Sequence, residues 1–421
     1  MAAERASKIS SYRSLVPLVN ELGVTYLNSS FAPPVNTIVH SAITKHLSEG
    51  LYTPRPKATW QSRAEETRAL LARYINAPSP SSIAVSPQRS LPPDPLLTPP
   101  IPQFTRDTTE GLNHFIRSLP FTPGDNVLVL SSEHPNHAYA WLALRALGLE
   151  VRVIDPSADT TCFASAATFL PHVDARTRAV GLSHAMFHSG QLNDAAAISA
   201  ALRPRGVDVL LDMTQSVGFL GRARVDVRAL GVSAAAFSLH KGLGCPTGLA
   251  GLYVDPAALA TLAPVPPCVG AGAVANLRAD LVADGEREVV WREGAGRFEH
   301  LNLSLVAADA ASAWLAFYLD TMGPEEVESH LYALGDVLRE ECAGLGVEIV
   351  GPRERERHSP HCYVLRLFDA RWKDFLEEKG VIVQHYRLGV RVSFAFYNNL
   401  DDVRRLAEVL RLGKDAGIPL E

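Results

Sequence analysis

The sequence of 421 residues is short of cysteine, of long apolar runs and of excess charge of either sign. Its cysteines stand widely apart and include no C-x-x-C pair; they lie at positions 162, 245, 268, 342 and 362. This spacing is untypical of a disulfide framework or a zinc site and indicates reduced thiols. No apolar run approaches the length of about 18 residues that a membrane-spanning helix needs.

The charge balance excludes further classes of partner. The chain has 40 Lys and Arg against 45 Asp and Glu, a net charge of −5, which gives no indication of a nucleic-acid or membrane partner. No cluster of His and Cys completes a metal site, so we expect no metal. The first residues lack the apolar stretch of a secretory signal. We therefore expect a cytoplasmic protein.

Short apolar runs alternate with helical stretches between about residues 104 and 255. The predicted strands cover residues 126–130, 151–154, 179–182, 207–211 and 234–237, and the helices between them include 138–147 and 194–202. Strands separated by helix-length segments predict βαβ units and a largely parallel sheet, hence an α/β fold.

The pattern changes after about residue 305. Two long helices are predicted at 305–319 and 325–345, followed by short strands near 346–350, 361–367 and 390–395 and a closing helix at about 400–412. This order predicts a compact α+β unit.

Residues 85–103 interrupt both patterns, with seven prolines in nineteen positions. Proline lacks a backbone donor and disfavours helices and central strands, so this segment is predicted to be an exposed insertion. Its removal would join Ala84 to Phe104 in one uninterrupted strand. Two origins stay open, a natural surface insertion and a retained intron.

Two charged residues follow apolar strands where ligands bind in α/β sheets. Lys241 ends the segment Ser238-Leu-His-Lys, after one predicted strand and before a glycine-rich turn. Asp212 ends another strand a helix length upstream. The carboxyl ends of parallel strands share one edge of the sheet. A lysine that carries an aldehyde and an aspartate that holds the pyridinium proton predict a pyridoxal 5'-phosphate (PLP) site.

Together these residues resemble the class V aminotransferase family of fold type I PLP enzymes, in particular its cysteine desulfurase and isopenicillin N epimerase-like branch. The resemblance runs from about Val24 to Leu410. It implies a large PLP-binding domain at 25–300, with a mainly parallel seven-stranded sheet, and a small α+β domain made of 1–24 and 301–421. It also implies a homodimer with shared active sites, because residues 297–300 resemble a segment that reaches the partner's phosphate.

The resemblance assigns most of the cofactor contacts. His134 would stack on the cofactor ring and act as a catalytic residue with Lys241 and Asp212, and Gln215 would bond the phenolic oxygen. The phosphate would be held by the start of a helix and by nearby polar side chains, namely Thr108, Thr109, Ser238, His240 and Asn302. An ordinary threonine cap is the alternative for the helix start.

The substrate contacts follow from the same resemblance. Arg391 would bind the α-carboxylate of an amino acid as a planar, bidentate partner. Ser30 lies in one of the loops expected to contact the substrate. A strand arginine on the surface is the alternative interpretation of Arg391.

Two departures from the family bear on the reaction. The cysteine desulfurases carry a nucleophilic cysteine in a loop just before the carboxylate-binding arginine, and residues 380–391 are too short for that loop and contain no cysteine. Cys362 is further upstream on an apolar strand and is predicted to be structural. Phe187 replaces an asparagine that contacts the phenolic oxygen, for which His188 or Gln191 would have to compensate.

The sequence thus predicts a PLP enzyme that acts at Cα of an amino-acid substrate. A lyase or substitution enzyme of specialised metabolism is favoured. An epimerase, an aminotransferase and a decarboxylase use the same groups and stay open, and a PLP-binding homologue without turnover is a less favoured alternative.

Overall fold

A computed structural model gives the fold. It describes residues 8–77, 103–156, 163–263, 265–277, 288–292, 294–300 and 303–420. The predicted insertion lies outside the described residues up to position 102, and so do Cys162 and Asn302.

A seven-stranded sheet forms the centre of the protein. Its strands in chain order are β2 (Gln103–Thr105), β3 (Asn126–Leu130), β4 (Glu150–Ile154), β5 (Thr177–Ser183), β6 (Asp208–Asp212), β7 (Ala234–Ser238) and β8 (Ala250–Val254). Their spatial order is β2-β8-β7-β6-β5-β3-β4. Only β8 runs against its neighbours, so the predicted α/β fold with a mainly parallel sheet is confirmed.

The strands are apolar on both faces because helices cover both. In β3, Val127 and Val129 belong to one apolar cluster, whereas Leu128 and Leu130 belong to the other. This period of two is what a strand buried on both sides requires. The helix after β2 packs on the first face through Phe115 and its neighbours, and the helix before β6 packs on the second.

The α-helices of eight or more residues in the described ranges are α1 (Thr37–Tyr52), α2 (Lys57–Tyr74), α3 (Thr108–Ser118), α4 (Pro135–Leu142), α5 (Ala195–Leu202), α6 (Leu305–Phe317), α7 (Pro324–Leu345), α8 (Arg371–Glu378) and α9 (Leu400–Asp415). Shorter helical turns include Ala143–Leu147, Arg222–Val225, Val227–Leu230 and Gly294–Phe298. Among the described helices, none combines the length and the apolar character needed to cross a membrane.

A smaller antiparallel sheet holds the C-terminal strands. It consists of β9 (Cys362–Leu365), β11 (Gln384–Tyr386) and β12 (Gly389–Ser393), in the order β11-β12-β9. The strand predicted near 346–350 is wrong, since that segment makes only one bridge, between Ile349 and Leu365. Gly351 follows with φ of +94°, which turns the chain away from β9.

The N-terminal segment packs against this C-terminal part. Strand β1 (Thr25–Tyr26) pairs in parallel with β10 (Val381–Ile382). The Arg13 guanidinium lies 2.7 Å from the Asp402 carboxylate, and the same guanidinium donates to the carbonyl of Tyr397. The division into domains at residues 24/25 and 300/301 stays a prediction.

Two glycines of α7 give a matched test of this packing. The Tyr363 hydroxyl of β9 occupies the place of a β-carbon at Gly335, whereas a β-carbon at Gly344 would meet nothing within 4 Å. Overpacking a core costs about 1–3 kcal/mol, and replacing an exposed helical glycine with alanine gains up to about 1 kcal/mol. We expect Gly335→Ala to lower the free energy of unfolding and Gly344→Ala to raise it slightly, measured by urea denaturation. Equal effects of the two variants would contradict the close approach of α7 to β9.

Candidate active site

Parallel pairing brings the charged residues to one edge of the central sheet. Ser183, at the end of β5, lies directly opposite Asp212 of β6, and Asp212 lies opposite Ala236 of β7. The chain then continues from β7 through Ser238 to Lys241. Strand β2 runs in the same direction as β7, because both are antiparallel to β8, so it delivers the start of α3 to this edge.

Three hydroxyl groups meet at the start of α3. Thr108 Oγ1 lies 2.6 Å from Ser238 Oγ and 2.6 Å from Thr214 Oγ1, and the Thr108 N–H donates to Ser238 Oγ. Thr109 Oγ1 accepts from the amide of Asn136 at 2.9 Å. The structure thus brings together the predicted residues Thr108, Thr109 and Ser238. Thr214 was not predicted, although it stands two positions after Asp212.

A free backbone N–H at the start of α3 indicates an anion site next to the three hydroxyls. Asp107 caps the helix by accepting from the Glu110 N–H, but the Thr109 N–H has no acceptor among the described residues. A helix start with a free N–H and several hydroxyls favours a phosphate group. His240 lies nearby. Burial lowers its pKa and the adjacent Lys241 charge lowers it further, while the Asp107 charge opposes both effects.

The Lys241 side chain is half-buried, and its amine makes no hydrogen bond or ion pair with any described residue. Burial lowers its pKa to about 8; the charge of Asp212 opposes this effect and that of Arg391 adds to it. A neutral amine is the form that attacks a carbonyl. Near neutral pH, Lys241 therefore has a much larger reactive fraction than an exposed lysine.

A buried carboxylate that sequence reasoning left without a role ties two strand ends together. Glu133 follows β3 and accepts from the backbone N–H groups of Ser183 at 2.7 Å and His134 at 2.8 Å, and from the Ser183 hydroxyl. Burial raises the pKa of Glu133 to about 7, although these hydrogen bonds oppose the shift. His137 Nδ1 lies 4.0 Å from the Glu133 carboxylate. Glu133 thereby fixes the start of α4 next to the end of β5.

His134 caps the start of α4 and faces the site. Its Nδ1 accepts from the Asn136 N–H at 3.2 Å, so a neutral ring carries its hydrogen on Nε2. Burial lowers the pKa of His134, while the nearby Asp212 charge raises it. The ring lies edge to face with Phe187, with centroids 5.0 Å apart. An imidazole in this position can stack on a flat cofactor ring.

Arg391 lies on β12 and is almost completely buried. Its Nη1 donates to the carbonyl of Phe187 at 3.2 Å and its Nη2 to Asn28 Oδ1 at 3.1 Å, whereas Nε has no protein partner. The guanidinium carbon lies 4.8 Å from the centre of the Tyr386 ring. Because the Arg391 charge lowers the pKa of Lys241, the two cations lie near each other. A surface role for Arg391 is excluded by its burial.

Gln215 holds Ser30 near this pocket. Its amide donates to the carbonyl of Ser30 at 3.0 Å, and its Oε1 lies 3.1 Å from His361 Nε2. The His361 ring in turn stacks on Phe219, with centroids 3.6 Å apart. Gln215 keeps one amide hydrogen for a ligand, so its bond to a phenolic oxygen stays a prediction. His361 was missed because nothing in its local pattern indicates a contact with residue 215.

Other predicted residues lie further away or outside the description. His188 and Gln191 were predicted to compensate for the asparagine that Phe187 replaces. The Gln191 side chain is hydrogen-bonded to Ser189 and Asn193, whereas the His188 ring contacts the Phe187 ring. His300 lies 3.7 Å from the Glu110 carboxylate of α3. Asn302 is outside the described residues.

The strands β11 and β12 form a hairpin in place of a long loop. Arg387 and Leu388 alone connect Tyr386 to Gly389, which are paired. Cys362 is fully buried, its thiol lies 3.6 Å from the Phe187 carbonyl, and burial raises its pKa. In the described part of the chain, no group of three His, Cys, Asp or Glu is arranged to hold a metal ion.

These residues fit PLP in three respects. The hydroxyls and the free Thr109 N–H suit its phosphate, the Asp212 carboxylate suits a protonated ring nitrogen, and the Lys241 amine has no protein partner and suits its aldehyde.

Comparison with known proteins agrees with this fit. The class-V aminotransferase family matches residues 103–406. An uncharacterized aminotransferase of Schizosaccharomyces pombe is 46% identical over 99% of both chains. A cysteine desulfurase of Cronobacter sakazakii is 30% identical over 97% of this chain and 98% of its own.

Solved structures show the same fold. A mutant of C-DES with glycine covalently linked to its PLP cofactor superimposes with a TM-score of 0.80 at 22% identity, over 94% of this chain and 98% of its own. C-DES is a cystine C-S lyase. The predicted resemblance and cofactor are confirmed: this chain belongs to the class-V aminotransferase family and is a PLP-dependent enzyme.

Proposed function

We propose that the protein is a lyase or substitution enzyme that acts at Cα of an amino acid, in specialised metabolism. The observation that carries this proposal is the proximity of Lys241, an amine with lowered pKa, to the buried Arg391 guanidinium, whose Nε has no protein partner. When bound, PLP supplies the electron sink for the bond that breaks. Asp212 would hold the proton on the ring nitrogen, and His134 would restrain the ring.

Arg391 would bind and orient the substrate. Its Nε is free of protein partners, and its two terminal nitrogens each donate only one hydrogen bond to the protein. A carboxylate can therefore take two parallel hydrogen bonds from its Nε and Nη groups. Orienting Cα next to Lys241 selects the bond that is broken, and Lys241 then takes or returns a proton at Cα.

The β11–β12 hairpin favours lyase chemistry over persulfide formation. The relatives named cysteine desulfurases would place a nucleophilic cysteine in this region, but residues 384–391 contain none. The Cys362 thiol is too buried and too weakly acidic to serve instead. C-DES, which has the same fold, is a cystine C-S lyase whose reaction product is cysteine persulfide, so this likeness supports a lyase but does not weigh against persulfide formation.

The assembly and location are further proposals. A homodimer with shared active sites would complete the phosphate site through residues 297–302 of the partner. In this chain Arg297 belongs to the helical turn Gly294–Phe298, and His300 lies 3.7 Å from the Glu110 carboxylate of α3. The cytoplasmic location stays a prediction.

The pH dependence of cofactor incorporation tests whether the pKa of the Lys241 amine is lowered. Since only the neutral amine reacts, the rate at which apoenzyme takes up PLP should rise with pH and level off above about 8. At pH 7 the neutral fraction is about 300 times that of an unperturbed lysine. The visible band of bound PLP reports the rate by stopped flow.

Two variants accompany this measurement. Asp212→Asn removes the charge that raises the pKa of Lys241, so the midpoint should move to lower pH. Lys241→Ala should abolish the band, whereas Lys57→Ala, at an exposed lysine of α2, should not change it. A rate that keeps rising to pH 10 would show that the Lys241 amine is unperturbed.

Arg391→Lys tests carboxylate recognition. A point charge cannot replace the planar fork, so amino acids should bind about 100-fold more weakly while the band of the cofactor remains. Titration of the band with an amino acid measures the dissociation constant, and circular dichroism checks the fold. Arg366→Lys, at an exposed arginine that pairs with Glu348, is the control. Unchanged affinity in Arg391→Lys would remove Arg391 from the substrate site.

The products that the holoenzyme forms from amino-acid pools in deuterated water distinguish a lyase or substitution enzyme from the alternative reactions. We expect the products to have lost or exchanged the substituent of the side chain, which mass spectrometry detects. Deuterium at Cα of an intact substrate would instead identify an epimerase, an amine product a decarboxylase, and amino transfer to an added keto acid an aminotransferase. If no amino acid is converted or perturbs the band, the protein is a PLP-binding homologue without turnover.

A further inference from the structure

Four rings form a cluster next to the guanidinium that would bind the substrate carboxylate. Phe187 lies at their centre, edge to face with His134, His188 and Tyr386 at centroid distances of 5.0, 5.0 and 5.7 Å. Such edge-to-face geometry is the favoured contact between rings, so the rings support one another. Phe187 and Tyr386 are half-buried and keep part of their surface accessible. The four residues are called the aromatic cluster below.

The aromatic cluster is coupled directly to Arg391. The Phe187 carbonyl accepts from Arg391 Nη1 at 3.2 Å, and the Tyr386 ring lies 4.8 Å from the guanidinium carbon. A carboxylate bound to Arg391, with Cα next to Lys241, therefore has ring surface within reach of its side chain. Tyr386 is held by the hairpin, whose short turn leaves it little freedom to move.

The electrostatics of the aromatic cluster disfavour a cationic side chain. Burial, together with the charges of Arg387, His134 and Arg391, lowers the pKa of His188 to about 4. Burial also lowers the pKa of His134, and the formal charges that act on His188 are positive, whereas Asp212 acts on His134. Arg387 at the hairpin turn is exposed and is the one group there that would attract a distal carboxylate.

From this arrangement we propose that the aromatic cluster forms the side-chain subsite and selects amino acids with an apolar side chain, including thioethers. Sulfur and apolar groups make favourable contacts with ring edges and faces. The inference rests on the proposed function, because it places the α-carboxylate on Arg391. The inference extends the proposed function by naming the chemical class of the substrate's side chain.

Binding to the holoenzyme tests the subsite without requiring turnover. Dissociation constants for alanine, phenylalanine, methionine, aspartate and lysine are measured by titration of the visible band at pH 7. We expect phenylalanine and methionine to bind at least 10-fold more tightly than aspartate or lysine. In Phe187→Ala, the dissociation constants of phenylalanine and methionine should rise about 10- to 100-fold, because ring contacts are lost.

Alanine serves as the internal reference in each variant. Its side chain is too short to depend on the rings, so its affinity should change less than 2-fold in Phe187→Ala and Tyr386→Ala. A general disturbance of Arg391 would weaken alanine as much as phenylalanine and would overturn the assignment. Phe368→Ala, at a partly exposed ring outside the aromatic cluster, is the matched control and should leave all five constants unchanged.

The remaining outcomes are distinct. Preference for aspartate that is lost in Arg387→Ala would assign the subsite to an acidic side chain and overturn the proposal. Amino acids that all bind equally would remove selectivity from the aromatic cluster but leave the proposed function intact. A band that no amino acid perturbs, alanine included, would refute the proposed function itself, and the subsite with it.

Discussion

The parallel register of β5, β6 and β7 is the constraint on which the site depends. It sets Asp212 between Ser183 and the strand that leads to Lys241, so the spacing of these groups follows from backbone hydrogen bonds. Glu133 adds the end of β3 to this arrangement, because it is hydrogen-bonded to Ser183 at the end of β5. A buried carboxylate is costly without partners, and here two backbone N–H groups and a hydroxyl supply them. The position of His134 is thereby tied to the same sheet edge as Asp212.

The substrate side of the pocket depends on a different set of contacts. Arg391 is held by Asn28 from the N-terminal segment and by the Phe187 carbonyl from the loop after β5. The N-terminal segment is itself fixed through Ser30, whose carbonyl accepts from Gln215. Three remote parts of the chain therefore meet around one guanidinium. Burial of this charge is tolerated because the Tyr386 ring and two acceptors surround it.

Sequence reasoning predicted the parts of the site whose signals are local. Strand β6 and the apolar run before Ser238 are visible as buried strands, so Asp212 and Lys241 could be placed at the correct edge of the sheet. Thr108 was recognisable from the start of a helix. Residues such as Thr214 and His361 were missed because their partners are set by tertiary packing. The strand near 346–350 was wrong for a similar reason, since the apolar pattern does not show that Gly351 turns the chain away.

The two halves of the pocket also differ in when they can form. The hydroxyls, Asp212 and Lys241 all come from residues 105–241, whereas Arg391 and its hairpin are near the end of the chain. At the usual speed of translation, roughly 8 to 30 s separate the synthesis of Lys241 from that of Arg391. Strand β1 must also wait for its partner β10, which is made almost last. A nascent chain thus contains Lys241 and Asp212 before it contains the arginine that is proposed to recognise an amino acid.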